Sequence, residues 1–197
     1  MAETIRSNKC EALIIGGSAG SLDVLLEIFP ALHADLSFPV ILVTHRKPGN
    51  ESLLSDLLQS RTKLKVAEAE EKEAIQPGKV YIAPADYHLL IEEDRTFSLD
   101  YSEKINYSRP SIDVTFQSAA EVFKNKLVCI LLSGSNADGV EGLKFVNNLG
   151  GKVVIQNPDT AMMPFMPSQA VINVKNGIVL NSGEMADFIN ELTNQML

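Results

Sequence analysis

Three residues of the sequence have the chemistry of a nucleophilic triad, and each follows a separate apolar run. Ser18 lies in G-G-S-A-G after A-L-I-I, His45 follows P-V-I-L-V, and Asp138 lies in S-G-S-N-A-D-G after L-V-C-I-L-L. A serine hydroxyl becomes a useful nucleophile when a histidine removes its proton, and an aspartate orients the imidazole and stabilises its cation. The glycines beside Ser18 allow a tight turn with backbone N–H groups free for an oxyanion. The three residue types together predict a serine hydrolase.

Each of these residues also has a simpler interpretation. Ser18 could be a turn residue or part of a phosphate-binding loop, His45 an exposed or hydrogen-bonded histidine, and Asp138 a helix cap. The loop around Ser18 matches neither nucleotide-binding fingerprint, because residue 18 is not glycine and no G-K-[ST] follows. The order Ser, His, Asp differs from the Ser, Asp, His order of α/β-hydrolases. The other two histidines are weaker candidates: His33 lies beyond a predicted helix, and His88 begins a predicted hairpin, where it could support the substrate or the structure.

The apolar runs that precede these residues are expected to form one parallel sheet. Five runs rich in Val, Ile and Leu lack apolar–polar alternation, which is typical of strands buried on both faces. They lie at 12–15, 39–43, 79–83, 127–132 and 152–156. Helical spacing is found at 22–29, 52–59, 140–149 and 182–192, and an antiparallel hairpin is predicted at 88–100.

The predicted fold class is therefore α/β, with a doubly wound, mostly parallel sheet flanked by helices and one antiparallel hairpin. Open sheets of this kind bind their ligands outside the carboxyl ends of the strands. Ser18, His45 and Asp138 all follow strand ends, so we expect them to meet at that edge. Their joint placement favours catalysis over the three simpler interpretations.

Length and composition limit the function classes that remain. The chain has 197 residues and fits a single domain, predicted at 11–197, with residues 1–10 as a flexible tail. Its net charge of −8 and the lack of a basic stripe argue against a nucleic-acid partner. No apolar run is long enough to cross a bilayer and the N-terminus lacks a secretory signal, so a cytoplasmic location without membrane insertion is expected. Cys10 and Cys129 form no metal motif, and we expect neither a metal nor an organic cofactor.

Six blocks of the sequence occur in an order that is specific for a known family. They are I-G-G-S-A-G-S, V-T-H-R-K-P-G, P-G-K-V-Y-I-A-P-A-D-Y-H, S-R-P-S-I-D-V-T-F, L-S-G-S-N-A-D-G-V-E-G-L, and G-G-K-V-V-I-Q-N-P with M-P-S-Q-A-V. In these blocks the chain resembles the catalytic domain of CheB-type chemotaxis protein-glutamate methylesterases. The resemblance implies that Ser18 is the nucleophile, His45 the base and Asp138 its orienting acid. It also implies hydrolysis of γ-glutamyl methyl esters on the cytoplasmic helical region of methylated chemoreceptors, and deamidation of receptor glutamines as a second reaction.

The same blocks depart from the usual family pattern near the predicted site. Ala19 follows the nucleophile where the family usually has threonine, and S-G-S-N-A-D-G replaces T-G-M-G-x-D-G. The resemblance implies backbone oxyanion donors at Ala19 and at Ser135, which stands at the methionine position. Asn136 replaces a glycine and could change the shape of the loop. Arg109 matches a family arginine, which could order a loop, meet a substrate carboxylate or be purely structural.

Many members of this family carry a receiver domain ahead of the esterase domain. The first predicted strand begins near residue 12, so no receiver domain is expected here, and activity would be constitutive or controlled by another chain in trans. A serine hydrolase of another protein or of a small ester, and an interaction module that has lost activity, are the alternative functions. A phosphate-binding α/β protein is the least favoured.

Overall fold

The structure is a computed structural model that describes residues 9–46, 49 and 51–193. The strands are β1 (Ala12–Gly17), β2 (Val40–Thr44), β3 (Lys65–Glu68), β4 (Lys79–Ile82), β5 (His88–Ile91), β6 (Phe97–Asp100), β7 (Leu127–Leu131), β8 (Lys152–Gln156) and β9 (Ile178–Leu180). The α-helices are α1 (Ser21–Ile28), α2 (Glu51–Gln59), α3 (Ile112–Phe123), α4 (Val140–Asn148), α5 (Phe165–Asn173) and α6 (Met185–Glu191). None of the helices in the described ranges is long and apolar enough to cross a membrane.

Seven strands form one parallel sheet in the order β3-β4-β2-β1-β7-β8-β9, and β5 pairs with β6 as a separate antiparallel hairpin. The predicted fold class is confirmed. Strand β1 is central, with β2 on one side and β7 on the other. Because these three strands are parallel neighbours, the segments that follow their carboxyl ends come together at one edge of the sheet.

Both faces of the sheet are covered by helices, which explains the lack of alternation in the strand sequences. Ile14 of β1 belongs to a buried cluster with Phe116 of α3, on one face. Leu13 belongs to a second cluster with Leu25 of α1 and Ile189 of α6, on the other face. Burial of each such side chain contributes about 1.5–3 kcal/mol to folding.

Several elements and boundaries differ from the sequence-based expectations. The elements predicted from the sequence did not include α3, α5, β3 and β9. The helix predicted at 182–192 is preceded by a capping box between Asn181 and Glu184, and its first turn is a 3₁₀ segment before α6. Cys10, which the tail prediction included, is buried at 2% exposure, so the ordered domain begins no later than this residue. Residues 1–8 of the predicted tail lie outside the described residues.

Candidate active site

The turn after β1 presents Ser18 at the start of α1. The backbone N–H of Ser18 donates to Ser133 O at 2.9 Å, and its carbonyl accepts from Ser21 N at 3.0 Å and Ser21 Oγ at 2.7 Å. A Cβ on Gly17 would lie 2.6 Å from Ser21 Cβ, and Gly20 has a φ of +79°. Both positions therefore require glycine, one for close packing and one for the left-handed backbone. The turn is held by its main chain, and the Ser18 hydroxyl is left for other partners.

The side chains of Ser18, His45 and Asp138 form a continuous hydrogen-bonded chain. His45 Nδ1 lies 3.1 Å from Ser18 Oγ, and His45 Nε2 lies 2.7 Å from Asp138 Oδ2. A charged carboxylate only accepts hydrogen bonds, so His45 carries its proton on Nε2 and Nδ1 is free to accept. The serine therefore faces Nδ1 and the aspartate Nε2, the reverse of the arrangement in the chymotrypsin template. Either imidazole nitrogen can act as the base, so this arrangement can activate Ser18.

Asp138 is fully buried, and several donors converge on its carboxylate. Besides His45, Oδ2 accepts from Ile112 N at 2.7 Å. Oδ1 accepts from Ser111 Oγ at 2.9 Å, from Asp113 N at 3.2 Å and from Asn106 Nδ2 at 3.3 Å. Burial alone would raise the pKa of Asp138, but the hydrogen bonds from His45 and Ile112 N outweigh it and hold the pKa below its usual value. The carboxylate is thus kept charged at the first turn of α3, where the helix dipole also favours it.

A second buried carboxylate, Asp113, lies next to Asp138. Its Oδ1 accepts from Gly142 N at 2.6 Å, and its Oδ2 accepts from Asn106 Nδ2 at 2.9 Å. Burial raises the pKa of Asp113 to about 6, and the nearby negative charge of Asp138 adds to the rise while the Gly142 amide opposes it. Asn106 bridges the two carboxylates through one amide nitrogen. Asp113 therefore changes its charge near pH 6, and its carboxylate makes no direct contact with His45.

Replacing Asp113 with asparagine is expected to change how stability depends on pH. In wild type the folded pKa of about 6 exceeds the ordinary 3.8, so ionisation of Asp113 lowers the free energy of unfolding as pH rises from about 4 to about 6. Asp113→Asn lacks this loss, so its stability relative to wild type should rise across that window, by about 3 kcal/mol at most, and level off above it. Urea unfolding at several pH values measures the difference. A difference that stays constant between pH 4 and 7 would contradict the raised pKa.

The backbone amides of Ala19 and Ser135, the two predicted oxyanion donors, differ from those of their neighbours. In the part of the chain that the structure describes, the N–H groups of Ala19 and Ser135 donate to no other group. The neighbouring amides are used, since Ser18 N donates to Ser133 O and Gly134 N donates to Met163 O at 3.0 Å. Ser133 Oγ also donates to Ala19 O at 2.7 Å and ties this turn to the end of β7. The oxyanion role of Ala19 and Ser135 stays a prediction that this geometry permits.

Arg109 is engaged by its own loop. Its Nε and Nη2 donate to Asp86 Oδ1 at 3.2 and 2.8 Å, and its Nη1 donates to the carbonyls of Tyr101 and Ser102 at 3.0 and 2.7 Å. The guanidinium also stacks on the Tyr101 ring at 3.8 Å. These contacts favour the loop-ordering interpretation of Arg109 over a contact with a substrate carboxylate.

The other two histidines do not touch Ser18 or Asp138. His88 is buried; its Nδ1 accepts from Ser111 N at 3.1 Å and its Nε2 donates to Glu103 O at 2.9 Å. It therefore supports the segment that carries Ser111 toward Asp138. The backbone N–H of His33 donates to Asn190 Oδ1.

Sequence reasoning missed the residues that surround the triad, which are Asn106, Ser108, Ser111, Asp113 and Ser133. The block S-R-P-S-I-D contains three of them and was recognised only as part of a family pattern. Their roles depend on contacts between distant segments, which spacing along the chain does not reveal.

A cleft of about 380 Å³ opens beside the triad. Ser18, His45 and Arg46 lie on its wall together with a set of leucines from α1 and α2: Leu22, Leu25, Leu53, Leu54 and Leu57. Ser18, the candidate nucleophile, therefore faces a cleft with a largely apolar wall, and the cleft is large enough for a substrate side chain and neighbouring atoms.

A family model matches most of this chain. The model of the CheB methylesterase family matches residues 13–189. The chain belongs to this family. A relative from Leptospira interrogans serogroup Icterohaemorrhagiae serovar copenhageni, named as a protein-glutamate methylesterase/protein-glutamine glutaminase, is 40% identical over 187 residues, which are 95% of this chain and 97% of the relative.

Two comparisons with Thermotoga maritima extend this CheB assignment. The protein-glutamate methylesterase/protein-glutamine glutaminase of that organism is 37% identical over 162 residues, which are 81% of this chain and 47% of the relative. This chain thus spans about half of that protein. The crystal structure of the Thermotoga maritima CheB methylesterase catalytic domain superposes with a TM-score of 0.87 at 33% identity, over 93% of this chain and 98% of that domain. The CheB resemblance seen in the sequence is confirmed.

Proposed function

We propose that this chain is a serine hydrolase that cleaves γ-glutamyl methyl esters on chemoreceptors. The observation that carries the proposal is the hydrogen-bonded chain from Ser18 Oγ through His45 to the buried Asp138, in a member of the CheB methylesterase family. The partner that we propose is the cytoplasmic helical region of methylated chemoreceptors, and the reaction would take place in the cytoplasm. Control by a second protein acting in trans is compatible with this assignment.

The first half of the proposed reaction forms a covalent intermediate. His45 Nδ1 takes the proton of Ser18 Oγ as this oxygen attacks the ester carbonyl, and Asp138 stabilises the imidazolium through Nε2–H. The oxyanion that develops would be met by the amides of Ala19 and Ser135, and each such donor typically contributes about 3–4 kcal/mol to lowering the barrier. The intermediate collapses as methanol leaves with the proton from Nδ1. The product is a glutamyl ester of Ser18.

The second half of the reaction releases the receptor. A water molecule gives a proton to His45 Nδ1 and attacks the acyl carbon, and Ser18 leaves with that proton as the glutamate side chain is freed as a carboxylic acid that then ionises. Deamidation of a glutamine would follow the same two steps, with ammonia in place of methanol. The name of the Thermotoga maritima relative includes both activities, which supports testing both.

The proposal is tested by methanol release from a methylated chemoreceptor fragment incubated with the purified chain. We expect methanol in proportion to the esters lost, and none from the same fragment carrying unmodified glutamates. A fluorophosphonate probe should label Ser18, and p-nitrophenyl acetate serves as a generic ester. Labelling and generic hydrolysis without methanol release would favour a serine hydrolase of another substrate. A chain that neither labels nor turns over would favour an interaction module.

A further inference from the structure

A short turn next to the triad has unusual backbone geometry. Ile105 and Ser108 pair across it, with Ile105 N to Ser108 O at 3.2 Å and Ser108 N to Ile105 O at 2.9 Å. The two central residues, Asn106 and Tyr107, have φ angles of +51° and +62°, a left-handed conformation that non-glycine residues adopt at a cost. Asn106 bonds to Asp138, so this turn is tied to the triad through one of its central residues.

Ser108, the last residue of the turn, contacts the imidazole of His45, the candidate catalytic base. Ser108 Oγ lies 3.3 Å from His45 Nδ1, the same nitrogen that lies 3.1 Å from Ser18 Oγ. Ser108 Oγ also lies 3.3 Å from the carbonyl oxygen of Asn106. Asn136 Nδ2 donates to Ser108 Oγ at 3.5 Å, and Asn136 Oδ1 accepts from Asp138 N at 3.2 Å. The asparagine that departs from the family pattern thus lies between Ser108 and the triad.

These partners let Ser108 pair with His45 in both of its protonation states. When Nδ1 is unprotonated, the Ser108 hydroxyl can donate to it. When Nδ1 is protonated, it can donate to Ser108 Oγ, and the hydroxyl proton can turn to the Asn106 carbonyl. The Ser108 hydroxyl has one proton, which can point either to His45 Nδ1 or to the Asn106 carbonyl. It can therefore pair with Nδ1 as this nitrogen gains and loses a proton twice in each catalytic cycle.

Ser18 cannot hold the ring in this way throughout the proposed reaction. Once Ser18 Oγ is esterified, it has no proton to donate to His45 Nδ1. Among the described residues, Ser108 is then the one whose hydroxyl still lies beside this nitrogen. We infer that Ser108 is a positioning residue that holds His45 in the acyl-enzyme until water takes its place as the donor to Nδ1, and that accepts from Nδ1–H once the proton of water has moved to the ring. The inference rests on the proposed serine-hydrolase function and specifies the step that Ser108 serves.

The variant Ser108→Ala tests this inference with p-nitrophenyl acetate, a generic ester that does not depend on receptor binding. Release of p-nitrophenol in the first turnover measures acylation, and mass spectrometry of the decay of the acetyl-enzyme measures deacylation. We expect deacylation to slow about tenfold, as for the loss of one hydrogen bond of about 1.4 kcal/mol, and acylation to slow less than about threefold. Ser108→Thr keeps the hydroxyl and should restore most of the deacylation rate. Ser102→Ala, which removes an exposed hydroxyl bonded to Asp100 in the same segment, should behave as wild type.

Several outcomes would overturn the inference. Equal slowing of both steps, a threonine variant no better than alanine, or an unchanged deacylation rate in Ser108→Ala would each do so. Acetylation or fluorophosphonate labelling at Ser108 instead of Ser18 would make it the nucleophile and reject the positioning role. A wild-type chain that hydrolyses the generic ester but releases no methanol loses the proposed substrate, while the Ser108 measurement still decides the inference. A wild-type chain that does neither rejects both.

Discussion

Replacing Ser18 with alanine is expected to abolish hydrolysis of a methylated receptor fragment and to leave the fold intact. The Ser18 side chain is placed to supply the attacking oxygen, and no other atom of the turn can take its place. When a triad acts as a unit, loss of its nucleophile can cost about 10⁶-fold in kcat. The turn itself is held by the main chain of Ser18 and by Ser133 and Ser21, so alanine should not disturb it.

The Ser18→Ala measurement needs methanol release, fluorophosphonate labelling and thermal unfolding on the same preparation. Ser102→Ala is the matched control, because it removes an exposed serine hydroxyl that does not touch His45. Turnover above a few per cent of wild type in a folded Ser18→Ala variant would rule out Ser18 as the nucleophile. Ser108 would then be the next candidate, since its hydroxyl also lies at His45 Nδ1.

The convergence of the triad could be predicted because it follows from the topology of a parallel sheet. Ser18, His45 and Asp138 each follow an apolar run, and adjacent parallel strands bring such segments to one edge. The structure places β1, β2 and β7 side by side, so the three side chains meet within hydrogen-bonding distance. The burial of these strands on both faces could also be predicted, because their sequences lack apolar–polar alternation.

The surroundings of the triad could not be predicted in the same way. Helix α3 contributes Ile112 N and Asp113 N to the carboxylate of Asp138. The helical spacing of its apolar residues predicts a helix, but it does not show which carboxylate the helix N-terminus meets. The turn that carries Asn106 and Ser108 has a tyrosine, Tyr107, at a left-handed position where glycine is usual, so only Asn106 marks it as a turn in the sequence. Both features are stabilised by contacts with residues far away in the chain.

The choice of imidazole nitrogen was equally hidden in the sequence. A histidine can present Nδ1 or Nε2 to a serine, and only the direction from which the ring approaches decides between them. Here His45 presents Nδ1 to Ser18, because Nε2 is taken by the buried Asp138. This assignment matters for the variants of Asp138, since it fixes which nitrogen must keep its proton.

Replacing Asp138 with asparagine is expected to lower kcat by about 10⁴-fold, as expected for a triad whose histidine is held in the wrong tautomer. If the substituted amide turned its Nδ2 toward His45, Nε2 would have to accept, and the proton would move to Nδ1. His45 could then no longer take the proton of Ser18. The side-chain volume hardly changes, so the loss would come from the proton and not from packing.

The opposite orientation of the substituted amide is also unfavourable. If its oxygen faced His45 Nε2, its Nδ2 would face the donors that now bond to Asp138 Oδ1, among them Ser111 Oγ and Asp113 N. An amide nitrogen cannot accept their hydrogen bonds. The buried N–H of Asp113 would lose its partner at a cost of about 1–3 kcal/mol, and the Ser111 hydroxyl would have to turn and accept instead. We therefore expect a lower melting temperature in addition to the loss of kcat.

Steady-state hydrolysis of the methylated fragment and thermal unfolding together measure both effects of Asp138→Asn. Asp35→Asn, at an exposed aspartate away from the cleft, controls for the loss of one negative charge. A folded Asp138→Asn variant with more than about a tenth of wild-type kcat would show that the tautomer of His45 does not depend on this carboxylate. The hydrogen-bonded chain from Ser18 to Asp138 would then be a structural feature, and the proton would have to leave Ser18 by another route.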